Sequence, residues 1–322
     1  MQAPVRVAVI GVGYFGRIHA MKYATNPRAE LVGVVDCVAE RASAVAAELG
    51  CAAYTHHREL LGRIDAASIA TPTSKHFEIG SDLLQSGIDL LVEKPMSNCL
   101  ASAIALADVA AAAGRILQIG HIERYSSAVR TLIEQVSQPL YIESYRIAPW
   151  RERGVDVDVI LDLMIHDIDI VLALANSPVV SVDAVGAPVL GNNIDLANAR
   201  LSFESGCVAT ITASRVSHKI ERSIRIYQAK CYTVADLHHN QIYSYRLQGD
   251  VGALGAQAVA SETRSVAAED SLANEIDDFL ECVVHRRKPI VGASAGIEAV
   301  RLASLINESI ARRSQAASAS IK

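Results

Sequence analysis

Three ionisable side chains share one face of an unusually apolar segment, residues 159–174. A helix there places Asp162, His166 and Asp169 at i, i+4 and i+7, which makes one polar stripe and leaves Asp167 off it. The Asp162 carboxylate can accept a hydrogen bond from one imidazole nitrogen of His166, and the other nitrogen is then free to take a proton. This pattern favours a general base at His166, with a structural His–Asp pair or a metal site as the alternatives.

A lysine follows the apolar run 90–92, in the order Glu93-Lys94-Pro95. If this run is a strand of a parallel sheet, two opposite charges lie at its carboxyl end, where such sheets bind ligands. Proline removes a backbone donor and fixes the turn, with a cis peptide bond as one option. We therefore predict that Lys94 is catalytic, and a surface ion pair that ends the strand is the alternative. Either Lys94 or His166 could act as the base.

The chain begins with a strand-like run, 5–10, that leads into Gly11-Val12-Gly13-Tyr14-Phe15-Gly16. In a dinucleotide-binding turn the first glycine makes the turn, the second lets the backbone approach a pyrophosphate, and the third lets the next helix pack closely. The unpaired N–H groups and the dipole of that helix suit a phosphate. This segment predicts a dinucleotide site, and a structural glycine turn in another α/β fold is the alternative.

The second apolar run, 30–35, ends at Asp36. Its carboxylate can accept hydrogen bonds from adenosine ribose hydroxyls and repels a 2′-phosphate, which predicts NAD rather than NADP as the cofactor. Arg41 could approach a 2′-phosphate, so the strictness of this preference stays open. The residues predicted to contact the cofactor are Gly11, Gly13, Tyr14, Phe15, Gly16, Asp36, Arg41, Thr71, Pro72, His76, Glu93, Lys94 and His121.

Composition excludes several classes of protein. The 322 residues are 51% hydrophobic and 20% charged with a net charge of −5, which is typical of a globular chain long enough for two domains. The chain has no basic block that would bind nucleic acid and no apolar run long enough to span a membrane. We expect no signal peptide, six reduced cysteines that bind no metal, and a cytoplasmic location.

Residues 5–120 alternate apolar strands with helices, which predicts a parallel sheet with right-handed crossovers. Predicted strands are 5–10, 30–35, 66–70, 89–93 and 116–119, and predicted helices are 14–26, 39–49, 76–86 and 100–113. We expect an α/β Rossmann domain at 1–122, with ligands bound at the carboxyl ends of its strands.

The pattern changes after residue 122, where the strands alternate polar and apolar residues. This alternation predicts an α+β domain at 123–322 with a large, open-faced, mostly antiparallel sheet and helices on one face. An apolar sheet face needs cover, so we expect a homo-oligomer, a dimer or a tetramer, packed through that sheet. Its predicted helices are 126–136, 159–174, 271–285 and 294–312, and its predicted strands are 140–147, 180–187, 196–204, 207–214, 222–228, 231–236 and 241–246.

Taken together, these motifs resemble the Gfo/Idh/MocA oxidoreductase family. The resemblance rests on the glycine turn, Thr71-Pro72 with His76, Glu93-Lys94-Pro95, and Asp162-x-x-x-His166-Asp167, and it covers nearly the whole chain. It implies a Rossmann domain, an open-faced sheet domain, and NAD(P)-linked oxidation or reduction of sugars and related polyols. It also implies that Lys94 and His166 face the substrate carbon beside the nicotinamide, with Asp162 behind His166.

Three further segments resemble the UDP-N-acetylglucosamine 3-dehydrogenase subgroup: 120–125, 151–169 and 212–215. This likeness implies a nucleotide-sugar substrate and a 3-keto product, which an aminotransferase converts to a 3-amino sugar for lipid A or surface polysaccharide. The residues predicted to bind the substrate are Glu123, Arg124, Arg151, Arg153, Asp169 and Arg215.

Two basic clusters could bind the pyrophosphate of such a substrate, because guanidinium groups pair well with phosphate oxygens. Solvated strand edges also collect cations, so a structural origin of the clusters stays open. A dehydrogenase of a free sugar, inositol or other polyol is the alternative activity, and an NAD(H)-sensing binding protein is the non-enzymatic one. The clusters are Arg146, Arg151 and Arg153, and Arg215, Lys219, Arg222 and Arg225.

Overall fold

The structure is a computed structural model that describes residues 3–150, 157–250, 252 and 255–320, the last four as backbone only. Within the described residues the chain divides into two compact units. The first unit comprises Met1–Tyr125 and Asp270–Arg301, and the second comprises Ser126–Glu269 and Leu302–Lys322. This arrangement, a parallel sheet in one unit and a mostly antiparallel sheet in the other, confirms the predicted fold class.

The units do not divide at a single point, as the predicted boundary between 122 and 123 requires, because segment 270–301 returns to the first unit. Hydrophobic contact explains this return. Ile276 and Phe279 are fully buried in the same cluster as Val7 of the first strand. A helix that covers one face of a sheet belongs to that sheet's core, wherever it lies in the sequence.

In the first unit the strands are all parallel, in the order β3-β2-β1-β4-β5-β6. Five of them lie where the sequence predicted, and β3 is a three-residue edge strand too short to show periodicity. The strands are β1 (Val5–Ile10), β2 (Ala29–Val35), β3 (Ala52–Tyr54), β4 (Ala66–Ile69), β5 (Asp89–Glu93) and β6 (Leu117–Gly120).

The second sheet has the order β14-β13-β12-β11-β7-β10-β9-β8, and its neighbours are antiparallel except for β7 and β10. Strand β14 was not predicted, because nearly all of its residues are exposed and apolar residues do not alternate along it. The strands are β7 (Tyr141–Ile147), β8 (Val179–Ala187), β9 (Leu196–Phe203), β10 (Val208–Ser214), β11 (Glu221–Gln228), β12 (Cys231–Asp236), β13 (Gln241–Leu247) and β14 (Val259–Ser265).

Helices cover both faces of the first sheet, and α6 packs against β7 and β10 of the second. None of the described helices combines the length and the apolar character that crossing a bilayer requires. The described helices are α1 (Tyr14–Thr25), α2 (Ala39–Leu49), α3 (His76–Gln85), α4 (Leu100–Ala113), α5 (Ser127–Gln135), α6 (Ile165–Ala175), α7 (Ser271–His285) and α8 (Ala293–Ser320).

Helix α1 approaches strand β1 closely at the glycine turn. Gly11 has a φ of +84°, a conformation that glycine adopts without strain. A β-carbon on Gly16 would lie 1.8 Å from the carbonyl oxygen of Gly11, so only glycine fits there. A β-carbon on Gly13 would meet nothing within 4 Å. Gly16 is therefore required by the fold, whereas Gly13 leaves open space beside the first turn of the helix.

The two glycines should respond differently to the same substitution. Gly16→Ala should lower the free energy of unfolding by about 1–3 kcal/mol, because the added methyl group forces α1 away from β1. Gly13→Ala is the matched control and should change it by less than about 1 kcal/mol. Urea denaturation followed by circular dichroism measures both. Equal stability of the two variants would contradict this account of the turn.

Candidate functional site

Asp36 lies at the carboxyl end of β2, directly beside the glycine turn. Its Oδ2 accepts a hydrogen bond from the Val12 amide (3.1 Å) and its Oδ1 from the Val38 amide (3.0 Å). Arg41 donates to both oxygens at 3.1 Å. Burial by itself would raise the pKa of Asp36, but the two amides and the guanidinium outweigh it and hold this pKa below its usual range. The carboxylate is thus charged and fixed in orientation.

The glycine turn and Asp36 fit the dinucleotide that the sequence predicts. No side chain caps the N-terminus of α1 at Gly13, so the N–H groups of its first turn face the space that Gly13 leaves open. A cavity of about 360 Å³ adjoins this turn, with Tyr14, Arg17 and Arg41 among its lining residues. Arg17 itself is paired with Glu48, so its charge is already compensated. These features suit a pyrophosphate followed by an adenosine.

Lys94 follows β5 at the same edge of the first sheet and is half-buried. The Lys94–Pro95 peptide bond is cis. The side chain of Glu93 turns inward, where its Oε1 lies 3.0 Å from His19 Nε2. Its Oε2 accepts a hydrogen bond from the Lys94 amide (3.3 Å). Glu93 was predicted to contact the cofactor, but its carboxylate is engaged inside the unit, beneath the turn that carries Lys94.

His76 was also predicted to contact the cofactor, and its ring is engaged within the first unit. The ring is buried, with Nδ1 3.1 Å from the Pro95 carbonyl oxygen and Nε2 2.9 Å from that of Thr71. Burial lowers the pKa of His76, although the carbonyl groups and the charge of Glu93 oppose this shift. His76 therefore ties the turn after β5 to the loop after β4. Thr71, Pro72 and His121 lie at the ends of β4 and β6, along the predicted edge of the sheet.

His19 is a residue that the sequence analysis missed. It lies on α1, is fully buried, and places Nδ1 3.2 Å from the Ser68 hydroxyl as well as Nε2 beside Glu93. A signal existed, since a histidine on a buried helix face needs polar partners and Glu93 ends β5 at the ligand-binding edge. Nothing in the spacing along the chain linked these two positions. Glu123 and Arg124 lie in a short 3₁₀ turn, Ile122–Tyr125, just beyond β6.

In the second unit, the segment predicted as one regular helix begins with a π-helical turn, Ile160–Met164, and continues as α6. Asp162 lies inside that turn, so it does not share the regular i, i+4 geometry assumed for its stripe with His166. His166 lies in the first turn of α6 and is half-buried, and Asp169 is buried. The pairing of Asp162 with His166 stays a prediction.

Asp167, next to His166, makes a buried ion pair that the sequence analysis did not foresee. Its carboxylate accepts hydrogen bonds from Ser144 Oγ (2.7 Å) and Arg146 Nε (2.5 Å), both on β7. Arg146 is only 4% exposed. Arg146 was predicted to belong to a pyrophosphate-binding cluster, but its charge is compensated within the unit. The pair instead ties α6, and with it His166, to the central strand β7.

The second basic cluster is also engaged by the protein. Arg215 is 4% exposed, lies 3.5 Å from Asp195, and donates hydrogen bonds to the Val157 and Ile194 carbonyl oxygens. Burial and these partners hold Arg215 among the loops of the second unit, and its predicted contact with the substrate stays a prediction. Lys219 and Arg225 pair with Glu221 and Glu143, respectively, and Arg222 is exposed. Arg151 and Arg153 lie outside the described residues.

The buried pair beside His166 should stabilise the second unit. Asp167→Asn leaves the Arg146 charge buried without a counter-charge and should lower the free energy of unfolding by about 3–5 kcal/mol. The control is Asp183→Asn, which breaks the exposed pair of Asp183 (63% exposed) with Arg313 (55% exposed). This change should cost less than about 1 kcal/mol. Urea denaturation measures the free energy of unfolding of both variants. Equal losses would show that the Asp167–Arg146 pair contributes no more to stability than an exposed pair does.

Comparison with known proteins gives a solved structure that is similar over nearly the full length. It is UDP-N-acetylglucosamine 3-dehydrogenase from Acidithiobacillus ferrooxidans, with a TM-score of 0.89 and 37% identity, covering 96% of this chain and 98% of that one. In a sequence comparison, the protein of that name from the same species is 40% identical over 293 residues, which are 91% of this chain and 93% of the relative. The scyllo-inositol 2-dehydrogenase (NAD(+)) of Bacillus subtilis is 28% identical over 318 residues, which are 90% of each chain.

Family models match both units. The oxidoreductase family model with an NAD-binding Rossmann fold matches residues 5–121, and the GFO/IDH/MocA C-terminal domain model matches residues 128–231. These matches confirm the resemblance seen in the sequence, the oxidoreductase class and NAD as the cofactor. The glycine turn, the fixed Asp36 and the lysine after β5 are thus parts of a known architecture: the chain belongs to the Gfo/Idh/MocA family of NAD-binding oxidoreductases.

Proposed function

We propose that this protein oxidises a secondary hydroxyl of a nucleotide sugar with NAD, and that its reaction converts UDP-N-acetylglucosamine to the 3-keto sugar. The observation that carries the proposal is the 40% identity over 91% of the chain to a relative named for that reaction. Two residues that such chemistry needs, a candidate base and a candidate cation, are His166 and Lys94.

His166 is the proposed general base. Its imidazole takes the proton of the sugar hydroxyl, while Asp162 is proposed to hold the other ring nitrogen and so to fix the tautomer. The half-buried position of His166 on a mostly buried helix supports the assignment, since a base must reach the substrate from a partly dry site. The ion pair of Asp167 with Arg146 supports it further by fixing α6.

Lys94 is the proposed partner at the same hydroxyl oxygen. Its ammonium group donates a hydrogen bond that orients the alcohol and stabilises the negative charge that develops as the proton leaves. The two roles are exchangeable in principle, because a partly desolvated lysine can also act as a base. The position of Lys94 at the carboxyl end of a parallel strand supports a role at the ligand.

NAD, when bound, accepts the hydride that the sugar carbon loses. We propose that the turn Gly11–Gly16 and the first turn of α1 bind its pyrophosphate, and that Asp36 binds its adenosine ribose. Tyr14, Phe15, Thr71, Pro72 and His121 are the further proposed contacts of the cofactor. The proposed contacts of the substrate are Glu123, Arg124, Asp169, Arg151 and Arg153.

A dehydrogenase of a free sugar, inositol or other polyol is the second candidate. One observation favours it, because Arg146 and Arg215, two proposed pyrophosphate ligands, are buried and paired with Asp167 and Asp195. A diphosphate substrate then needs its positive charges elsewhere, and the candidates include Arg124, Arg151, Arg153 and the exposed Arg222. The relative named scyllo-inositol 2-dehydrogenase (NAD(+)) agrees with this second reading, at a lower identity of 28%.

The proposed product also suggests a context. A 3-keto nucleotide sugar is a substrate for an aminotransferase, and we propose that the resulting amino sugar enters lipid A or a surface polysaccharide.

Six free cysteines suit a reducing compartment, which supports a cytoplasmic location. A row of stacked tyrosines crosses four neighbouring strands of the second sheet, and we propose that a second copy of the chain covers this face. The row consists of Tyr141, Tyr227, Tyr232 and Tyr245.

Removal of the base or the cation should abolish most of the turnover. With NAD and a panel of UDP-sugars, free sugars and inositols, His166→Asn should lower kcat by about 10²- to 10⁴-fold. Lys94→Met should lower kcat more than it raises KM, because its contact strengthens as charge develops. The absorbance of NADH measures both, with an aminotransferase added to draw the reaction forward.

The matched controls are two exposed residues of the same types, His285→Asn and Lys288→Met, which should keep wild-type rates. Near-normal turnover in His166→Asn would remove it as the base. An unchanged kcat with a raised KM in Lys94→Met would reduce Lys94 to a binding role. Preference for a free polyol over every UDP-sugar would establish the second candidate function.

Asp36 should decide between NAD and NADP. Asp36→Asn keeps an acceptor for the Val12 amide but removes the charge, so the preference for NAD over NADP, as a ratio of kcat/KM, should fall by about 10- to 100-fold. Part of this change should come from Arg41, which is then free to meet a 2′-phosphate. The double variant Asp36→Asn/Arg41→Met should therefore lose the gain with NADP. An unchanged preference in Asp36→Asn would contradict its role.

A further inference from the structure

Two buried histidines hold the turn that carries Lys94, one on each side of it. His19 lies 3.0 Å from the carboxylate of Glu93, the residue before Lys94. His76 lies 3.1 Å from the carbonyl oxygen of Pro95, the residue after it. Both rings are buried within the first unit. We propose that His19 is a positioning residue that acts through Glu93 to fix the backbone and the ammonium group of Lys94.

The contacts of His19 define the direction of every hydrogen bond in its chain. A carboxylate oxygen can only accept, so His19 Nε2 carries the proton that Glu93 Oε1 receives. Nδ1 then accepts from the Ser68 hydroxyl, 3.2 Å away. Ser68 in turn accepts from the Tyr23 hydroxyl (2.8 Å), whose pKa burial raises, so that it keeps its proton. For a neutral ring these contacts select one tautomer, with the Nε2–H directed at Glu93.

Glu93 transmits this constraint because it has little room to move. A β-carbon on Gly120 would lie 2.8 Å from Glu93 Oε1. The carboxylate therefore packs directly against the backbone of β6, at a glycine. The other carboxylate oxygen accepts the amide proton of Lys94 (3.3 Å). His19, Ser68 and Tyr23 are fully buried, and hydrogen bonds in such surroundings are stronger and more restrictive than those in water.

A second acidic side chain, that of Glu275, lies close to His19 and Glu93. Glu275 of α7 is fully buried, and a carboxylate oxygen of Glu275, one of Glu93 and a ring nitrogen of His19 all lie within 4.8 Å of one another. Glu93 and Glu275 thus offer two possible acceptors near the ring of His19, and the hydrogen-bond contact at 3.0 Å is the one with Glu93.

His76 completes the arrangement from the other side. Its two ring nitrogens face the carbonyl oxygens of Pro95 and Thr71, which ties the residue after Lys94 to the neighbouring loop. The turn is therefore held at the residues before and after Lys94, which is itself half-buried. This inference rests on the proposed role of Lys94 in the reaction.

The structure provides a matched pair of variants for the test. The amide of glutamine reaches where Nε2 of histidine lies, so His19→Gln keeps a donor for Glu93. The amide of asparagine reaches only to the Nδ1 position, so His19→Asn keeps a partner for Ser68 and loses Glu93. Both remove the ring and create similar space. We expect His19→Asn to lower kcat by about 10- to 100-fold and His19→Gln to retain most of it, because a displacement of about 1 Å is enough for such a loss.

Two further measurements distinguish a positioning role of His19 from a general loss of structure in its variants. The dissociation constant of NAD should stay within about two-fold of wild type in both variants, because the Gly11–Gly16 turn and Asp36 are untouched. The rate at which acetic anhydride modifies Lys94, relative to the exposed Lys288 and read by peptide mass spectrometry, should change in His19→Asn and not in His19→Gln. This second measurement needs no substrate, so it stands even if the proposed reaction is wrong.

Several outcomes would overturn the proposal. Equal turnover and equal Lys94 reactivity in the two variants is one, and one divalent metal ion per purified chain, bound through His19, is another. If His19→Asn does not fold, Ser68→Ala takes its place, since it removes the hydroxyl beside His19 Nδ1 and leaves the His19 ring and Glu93 in place; Tyr23→Phe, which removes only the other contact of Ser68, is its control. Ser68→Ala should lower kcat by about three- to ten-fold, and an unchanged kcat would also overturn the proposal. Normal turnover in Lys94→Met, by contrast, would count against the proposed function alone.

Discussion

The close approach of helix α1 to strand β1 is the constraint on which the rest of the first unit depends. Because Gly16 lacks a side chain, the helix starts directly beside the carbonyl of Gly11, and its first-turn N–H groups open onto the edge of the sheet. The same approach brings the Val12 amide to Asp36 and sinks His19 deep enough to meet Glu93. The close packing of α1 against β1 thus determines the geometry of the cofactor turn. It also determines the surroundings of Glu93, which lies two strands away, immediately before Lys94.

Buried polar groups give the fold its specificity around the candidate catalytic residues. Lys94 and His166 are each next in sequence to a carboxylate that is held inside its own unit, Glu93 by His19 and Asp167 by Arg146. A buried carboxylate that loses its partner is costly, so each of these pairs admits few alternative arrangements of the backbone beside it. Arg146 and Arg215 are paired with buried carboxylates in the same way, so a substrate pyrophosphate would compete with Asp167 or Asp195 for either guanidinium.

The two sheets and the cofactor could be predicted from the sequence, because both predictions depend on local patterns of residues. Strand and helix periodicity predicted both sheets, and the glycine turn with Asp36 predicted NAD, because turn chemistry and a strand end are local features. Several of the failures involve distant partners. No local signal shows that segment 270–301 packs against β1, that His76 meets Pro95, or that Arg146 meets Asp167, since strand order and helix docking decide these contacts. The π-turn at Asp162 was missed because its residues read as an ordinary apolar helix.

The central claim is that hydride leaves C3 of UDP-N-acetylglucosamine while a proton leaves its hydroxyl. The most direct measurement uses UDP-N-acetylglucosamine with deuterium at C3, with the reduced cofactor analysed by mass spectrometry. The account predicts NADH that carries one deuterium, formed more slowly than from the unlabelled sugar when hydride transfer limits the rate. Unlabelled NADH would show that another carbon is oxidised, and the absence of NADH with this sugar, alongside its formation with a free polyol, would contradict the account.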